Sequence, residues 1–203
     1  MSAGALPWLV LLMVVAIGYL LGSIPFGLIL TRAAGLGDIR AIGSGNIGAT
    51  NVLRTGRRGL AAATVLLDGG KGVAAVLLGW VSLGMTGVLA GGLAAVIGHL
   101  YPVWLRFKGG KGVATGFGVL IAASPAVGLL AGAAWIGVAA WLRYSSLAAL
   151  SSFALAPLIG AVVGAAPEVT ALAAVTAVLV WLRHGANIRR LVSGTEPRIG
   201  DKR

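Results

Sequence analysis

An all-α, polytopic integral membrane protein with seven transmembrane helices is the fold class the sequence predicts, as one membrane-embedded domain over residues 1–203. Three observations carry it. Of the 203 residues, 58% are hydrophobic and only 10% charged, against about 25% charged in a soluble domain. Apolar runs recur along the whole chain, and Lys and Arg cluster in alternate connections between them. The 33 glycines fit the same solvent. Each costs roughly 0.5–1 kcal/mol in a soluble helix, but small residues let membrane helices pack closely.

The first run, Leu6 to about Leu30, has no Lys or Arg before Arg32. It lacks the basic region and cleavage site of a signal peptide and is expected to be a retained helix. Ser23-Ile24-Pro25 predicts a kink or an early end within it. Further runs follow at about Leu60–Leu83, Thr86–Leu105, Val113–Ala123, Ala126–Leu142, Leu147–Val163 and Val169–Leu182. A full span needs roughly 20 residues, 17 at the short end. Val113–Ala123 falls short of that, so it either thins the bilayer locally or forms a half-helix beginning at the preceding GGKG. A re-entrant fourth run would leave six spans.

Charge chooses between seven and six. The first connection carries Arg32, Arg40, Arg54, Arg57 and Arg58, and the third carries Arg106, Lys108 and Lys111. The fifth carries Arg143, and the tail carries Arg183, Arg189, Arg190, Arg198, Lys202 and Arg203. The connections between these, near Gly84, Ser124-Pro125 and Ala165-Pro167, carry none. That alternation predicts seven helices with the N-terminus outside and the C-terminus cytoplasmic. The net charge of +11 is dispersed between apolar segments rather than gathered on one patch, which argues against nucleic acid. No cysteine is present, so disulfides and thiolate metal sites are excluded.

Three polar islands interrupt the apolar chain, all on the predicted cytoplasmic side. SGNIGATNVLR (Ser44 to Arg54) combines glycines with Ser44, Asn46, Thr50, Asn51 and Arg54. Small residues admit a ligand close to the backbone, and this donor set suits a phosphate. GGKG (Gly109 to Gly112) places Gly110 and Lys111 just ahead of a helix, where N–H groups meet anions. RHGANIRRL (Arg183 to Leu191) brings His184, Asn187 and Arg190. Arg143-Tyr144-Ser145-Ser146 joins them on that side. Topology alone explains Arg32, Arg57, Arg58, Lys202 and Arg203, but it does not ask for the glycines, Asn and Ser around Arg54 and Lys111.

A second lysine motif, LDGGKG (Leu67 to Gly72), lies inside the second apolar run. Asp68 and Lys71 share a helix face at i and i+3 and are expected to neutralise one another as structural support. Neither GGKG is a Walker A loop, since no Ser or Thr follows the lysine. His99 reads equally as a buried structural residue or a ligand. His184 shares a helical face with Asn187, and for both histidines hydrogen bonding is favoured over metal. Glu196 either orients a basic residue or is merely solvated. No cysteine nucleophile, serine elbow, carboxylate pair or metal-ligand cluster is legible on that side. The inventory is rich in phosphate binding and poor in general bases, which suits a substrate that supplies its own proton acceptor.

Together the islands resemble the acyl-phosphate:glycerol-3-phosphate acyltransferase family (PlsY-type) of bacterial membranes. The resemblance runs through GSIPFG (Gly22 to Gly27), DIRAIGSGNIGATNVLR (Asp38 to Arg54), LDGGKG, GHLYPVWLRFKGGKGVATGFG (Gly98 to Gly118), RYSSL (Arg143 to Leu147) and RHGANIRRLVSGTEPRIG (Arg183 to Gly200). It implies transfer of a fatty acyl group from acyl-phosphate to the 1-hydroxyl of glycerol-3-phosphate, giving lysophosphatidic acid and phosphate. By motif match it implies Ser44, Arg54, Lys111 and Ser146 as catalytic residues. Asn46, Thr50, Asn51, Gly110, His184, Asn187, Arg190 and Glu196 would bind substrate. It implies no metal and no cofactor, membrane lipid around the chain, and a site facing the cytoplasm from the bacterial inner membrane. A monomer is the expected state. Tyr101 and Arg198 depart mildly from the family pattern. A small transporter of a phosphorylated metabolite is the rival from another class. It would need polar groups near the midplane, reachable from both sides.

Overall fold

The computed structural model describes residues 6–201; Lys202 and Arg203, counted above as topology charges, lie outside them. All the described secondary structure is helical. Helix α1 (Leu6–Ser23) stops at Ile24-Pro25, and α2 (Phe26–Ala33) starts beyond it. Pro25 has no N–H to continue the ladder, so the chain breaks where the sequence predicts. The first island then holds a 3₁₀ turn, Ile39–Ala41, and a short helix α3 (Ala49–Leu53) that hydropathy gives no sign of.

Helix α4 (Arg58–Leu100) turns back on itself at Leu83 (φ −143°, ψ 20°) and Gly84 (φ 56°, ψ −136°). Gly84 supplies a left-handed geometry that a side chain would resist. Residues 58–82 and 85–100 therefore form a hairpin. Gly79 lies against Gly87, and Gly91 lies against the Ala75 carbonyl, each with backbone where a side chain would stand. Helix α1 runs parallel to the returning arm, with Gly18 at Gly91, Gly22 at Ala95 and Gly98 at the Tyr19 carbonyl. Close packing of this kind takes the place of large interlocking side chains. Gly79→Val is therefore expected to lower the thermal unfolding midpoint in detergent, by an overpacking cost of about 1–3 kcal/mol. Gly132→Ala, where no atom stands within 4 Å, should leave it unchanged or higher. Equal midpoints for the two variants would reject the backbone-contact account.

The remaining helices are α5 (Val113–Ala123), α6 (Pro125–Leu142), α7 (Ser145–Val162), α8 (Pro167–Arg183) and α9 (Gly185–Val192). Ser124 alone separates α5 from α6, and α9 bends 65° away from α8 at His184. The third apolar run stops short of the predicted Leu105. Helix α4 ends at Leu100, Pro102 blocks its continuation, and Val103–Leu105 form a 3₁₀ turn. One core joins α5 to α8 through Leu120, Val127, Phe153, Val169 and Val180. A second ties α4 to α5 and α8 through Val76, Val96, Leu100, Val119 and Leu172. A third (Leu28, Ile39, Ile47, Val52) supports the first island.

The outer surface is also apolar, with Trp141 83% and Val162 86% exposed. That pattern fits a protein whose solvent is lipid. Among the described residues, four stretches are long and apolar enough to cross a membrane: Pro7–Ala33, Arg58–Leu105, Pro125–Leu142 and Ser145–Val162. Helix α8 passes the same test only when α9, bent away from it, is counted with it, and the hairpin divides Arg58–Leu105 into two arms.

Candidate active site

The first island is organised around Asn51, which is 1% exposed. Its Nδ2 donates to the carbonyls of Ile39 (2.9 Å), Ile42 (3.2 Å) and Asn46 (2.9 Å). Its Oδ1 accepts from the Ser44 N–H (3.1 Å) and from the Arg54 Nη1 (3.4 Å). One amide thus ties the loop together and touches Arg54. Gly43 has φ 57°, and a Cβ there would strike both the Asn51 amide and the Arg54 guanidinium. The Asn46 Oδ1 accepts from the Gly48 N–H at 2.9 Å, an Asx turn leading into α3. The backbone groups of a loop this polar must be satisfied within it, and two asparagines do so. The Asn51 amide is thus occupied within the loop itself.

GGKG forms the second wall. The Gly109 N–H donates to the Leu100 carbonyl (3.1 Å) and the Gly110 N–H to that of His99 (3.0 Å), which folds the loop under the end of α4. From the other side Arg183 donates to the carbonyls of Gly110 and Gly109, both at 3.2 Å. Gly112 (φ 82°) then turns the chain into α5. Lys111 is half-buried and makes no hydrogen bond or ion pair among the described residues. Burial pushes its ammonium down to about 8, an effect that Glu196 opposes and that Arg190, Arg54 and Arg183 reinforce. Four cations from three distant islands therefore share one field.

Glu196 is the hub of the third wall and is 9% exposed. Its Oε1 accepts from the Ser146 hydroxyl and from the Asn187 Nδ2, both at 2.6 Å, and its Oε2 accepts from the Arg190 Nε at 2.7 Å. Burial alone would raise this carboxyl. The Ser146, Asn187 and Arg190 donors overcome that and hold it below its ordinary range. The open choice between an orienting and a solvated Glu196 is thereby decided: it orients Arg190. The tail is clasped further by the Ile199 N–H on the Arg143 carbonyl (2.6 Å) and by Arg198 on the Tyr144 hydroxyl (3.1 Å). His184 donates from Nδ1 to the Val180 carbonyl (2.7 Å), and burial brings its pKa down to about 4. It is a neutral imidazole whose Nε2 carries the lone pair.

The islands meet directly. The Thr50 Oγ1 lies 3.1 Å from the Ser145 Oγ, Arg183 clamps GGKG, and Glu196 holds Ser146. Every site residue named from the sequence lies in or against these walls. Ser44 and Thr50 are exposed at the rim, while Ser146, His184 and Asn187 are buried. Arg32 and Arg40 are instead spent on Asp38, at 2.9 and 2.6 Å. Sequence reasoning missed Arg183, which resembles one more topology charge. Its one visible signal is its place directly before His184.

Comparison with known proteins decides the family. A family model described as "Glycerol-3-phosphate acyltransferase" matches residues 12–194. The chain belongs to the glycerol-3-phosphate acyltransferase family. A protein of that name from Paramagnetospirillum magneticum is 61% identical over 92% of each chain. One from Rhodospirillum rubrum is 56% identical over 98% of this chain and 95% of its own. The crystal structure of PlsY (YgiH), an integral membrane glycerol 3-phosphate acyltransferase, superposes in its glycerol 3-phosphate form with a TM-score of 0.88. That match has 42% identity and covers 94% of this chain and 96% of the other. The lysophosphatidic acid form of the same enzyme superposes at 0.86 with 41% identity, over 94% and 95% of the two chains.

Proposed function

We propose that the chain transfers a fatty acyl group from acyl-phosphate to the 1-hydroxyl of glycerol-3-phosphate, releasing lysophosphatidic acid and phosphate. Membership of the glycerol-3-phosphate acyltransferase family supports the acceptor. The observation that carries the donor is the state of the site's ionisable groups. Arg54, Lys111, Arg183 and Arg190 converge, while the buried carboxylate of the third wall, Glu196, is saturated by three donors. His184, at about 4, is a hydrogen-bond acceptor rather than a base at neutral pH. A site with surplus positive charge and no free base among the described residues suits a doubly phosphorylated reactant pair in which a phosphate takes the proton.

In that reaction the glycerol oxygen attacks the acyl carbonyl and its proton passes to an oxygen of the donor's phosphate. The acyl carbon–oxygen bond to that phosphate then breaks, and inorganic phosphate leaves. Lys111 and Arg54 stabilise the charge that grows on the transferring centre and the leaving phosphate. Ser44, Thr50 and Asn46 offer polar groups at the rim, Gly110 seats the loop that carries Lys111 against the His99 ring, and the His184 Nε2 accepts from a substrate hydroxyl. Asn51, Ser146, Asn187 and Glu196 hold Arg54 and Arg190 in place. We read the chain as a monomer with seven crossings, α5 being the short one. The N-terminus lies outside and the site faces the cytoplasm of a bacterial inner membrane. The charge alternation supports this, as does the gathering of the polar walls at one end.

Purified protein given acyl-phosphate and radiolabelled glycerol-3-phosphate should form lysophosphatidic acid. Product from an acyl thioester but not from acyl-phosphate would reject the donor, and uptake into sealed vesicles without product would favour the transporter. The pH dependence is a second check. Lys111 must be protonated to hold phosphate, and its folded value is about 8. The kcat/KM for glycerol-3-phosphate should therefore be highest below that value and fall as pH rises through it, since this ratio reports the free enzyme. A profile flat to pH 10 would exclude Lys111 as the phosphate's cation.

A further inference from the structure

Asp68, Lys71 and His99 form a buried polar cluster that the proposed chemistry does not use, at 2, 5 and 4% exposure. An ammonium has three N–H donors, and Lys71 spends each on a different segment. One goes to the Ile24 carbonyl at the break between α1 and α2 (2.7 Å), one to the Asp68 Oδ1 on the outgoing arm of α4 (2.7 Å). The third goes to the His99 Nδ1 on the returning arm (3.0 Å). With Nδ1 accepting, His99 carries its proton on Nε2.

Both walls of the site rest on this post. On one side the His99 carbonyl accepts the Gly110 N–H, and its ring Nε2 fills the place where a Cβ on Gly110 would stand. On the other side Ile24 leads into α2, where Gly27 abuts the Ile47 carbonyl within the first island. We infer that Lys71, held by Asp68 and capped by His99, is a positioning residue. It fixes the separation between the Gly110-Lys111 loop and the Ser44–Arg54 loop, so that one phosphate can meet both cations. The inference rests on the proposed reading of those loops as phosphate walls. It assigns a role to the second, intramembrane copy of the GGKG motif: the post beneath the first.

A buried ion pair need not have this role, because apolar replacement of such pairs is often tolerated by the fold. The test exploits that. Asp68→Leu/Lys71→Met should remain folded, while KM for glycerol-3-phosphate rises about tenfold or more and kcat falls with it, because the two loops no longer present their cations to one phosphate. A KM equal to that of the unaltered protein would make the cluster a merely structural pair and overturn the inference. A second measurement does not depend on that variant folding. Gly110→Ala should raise KM by colliding with the His99 ring, and His99→Ala in the same chain should relieve the collision. The double variant should then have a lower KM than Gly110→Ala alone. Fully additive effects would overturn the contact. Calorimetric binding of glycerol-3-phosphate to the unaltered protein separates the two levels. Without that binding the proposed function fails; with it, and with additive variants, the positioning role fails alone.

Discussion

Lys111→Met should reduce acyl transfer by about 10²–10³-fold at saturating substrate, the usual cost of removing one electrostatic donor from a transition state. The protein should stay folded with an unfolding midpoint no lower than before. The two halves of this expectation have one cause. Lys111 makes no hydrogen bond or ion pair among the described residues, is partly buried, and sits in a field to which Arg54, Arg183 and Arg190 contribute. An ammonium kept in such surroundings without a partner costs the fold free energy. The linkage has a definite sign. The folded value is depressed to about 8, below the usual lysine value of about 10.4. The unfolded chain therefore binds more protons between the two, and Lys111 makes stability rise with pH across that window. Methionine keeps the stem's apolar contacts and removes the charge, so that slope should disappear along with turnover. Activity within about tenfold of the unaltered enzyme would show that phosphate charge is met elsewhere.

How much of this was legible in the sequence follows from the range of the interactions. Helix ends and breaks are local, and Pro25, Gly84 and Gly112 announce them in the sequence or turn where a glycine permits it. Phosphate chemistry is nearly as local: glycines beside Arg54 and Lys111 are visible as strings. Hydropathy misleads where apolar residues leave the helix, and so Val103–Leu105 were predicted as helix although Pro102 ends it. What stays hidden are side chains that reach across the fold to a backbone carbonyl. Arg183 spans 73 residues to Gly110, and Lys71 spans 47 to Ile24. Nothing in either string marks its acceptor, because every residue has a carbonyl. The pairing of Asp68 with Lys71 was readable at i and i+3, but its third member, His99, lies 28 residues beyond Lys71. Glu196 was ambiguous for the same reason, since its partner Ser146 is 50 residues away.

Glu196→Ala should show the opposite signature to Lys111→Met, a large loss of stability that carries activity down with it. Three donors converge on this carboxylate at 2.6, 2.6 and 2.7 Å, and its side chain is 6% exposed. Alanine leaves the Ser146 hydroxyl, the Asn187 amide and the Arg190 guanidinium without their acceptor. Stranding one member of a buried charge pair costs about 3–5 kcal/mol. Arg190 is partly exposed, at 37%, and recovers some hydration, which places the expected cost toward the lower end of that range. The tail loses its inner anchor, leaving the outer clasp of Arg143 on Ile199 and Arg198 on Tyr144. That clasp is exposed and worth much less, so Arg198→Ala should move the unfolding midpoint little. A pH titration separates the variants further. The Glu196 carboxyl lies below its ordinary value, so its stabilisation is complete above the unfolded value and lost as pH falls through the folded one. Unaltered protein should lose stability on acidification over that interval, and Glu196→Ala, already without it, should lose less. Thermal unfolding in detergent at neutral and acidic pH measures both effects. A Glu196→Ala protein that melts with the unaltered chain would mean that the third wall is held by helix packing rather than by its carboxylate.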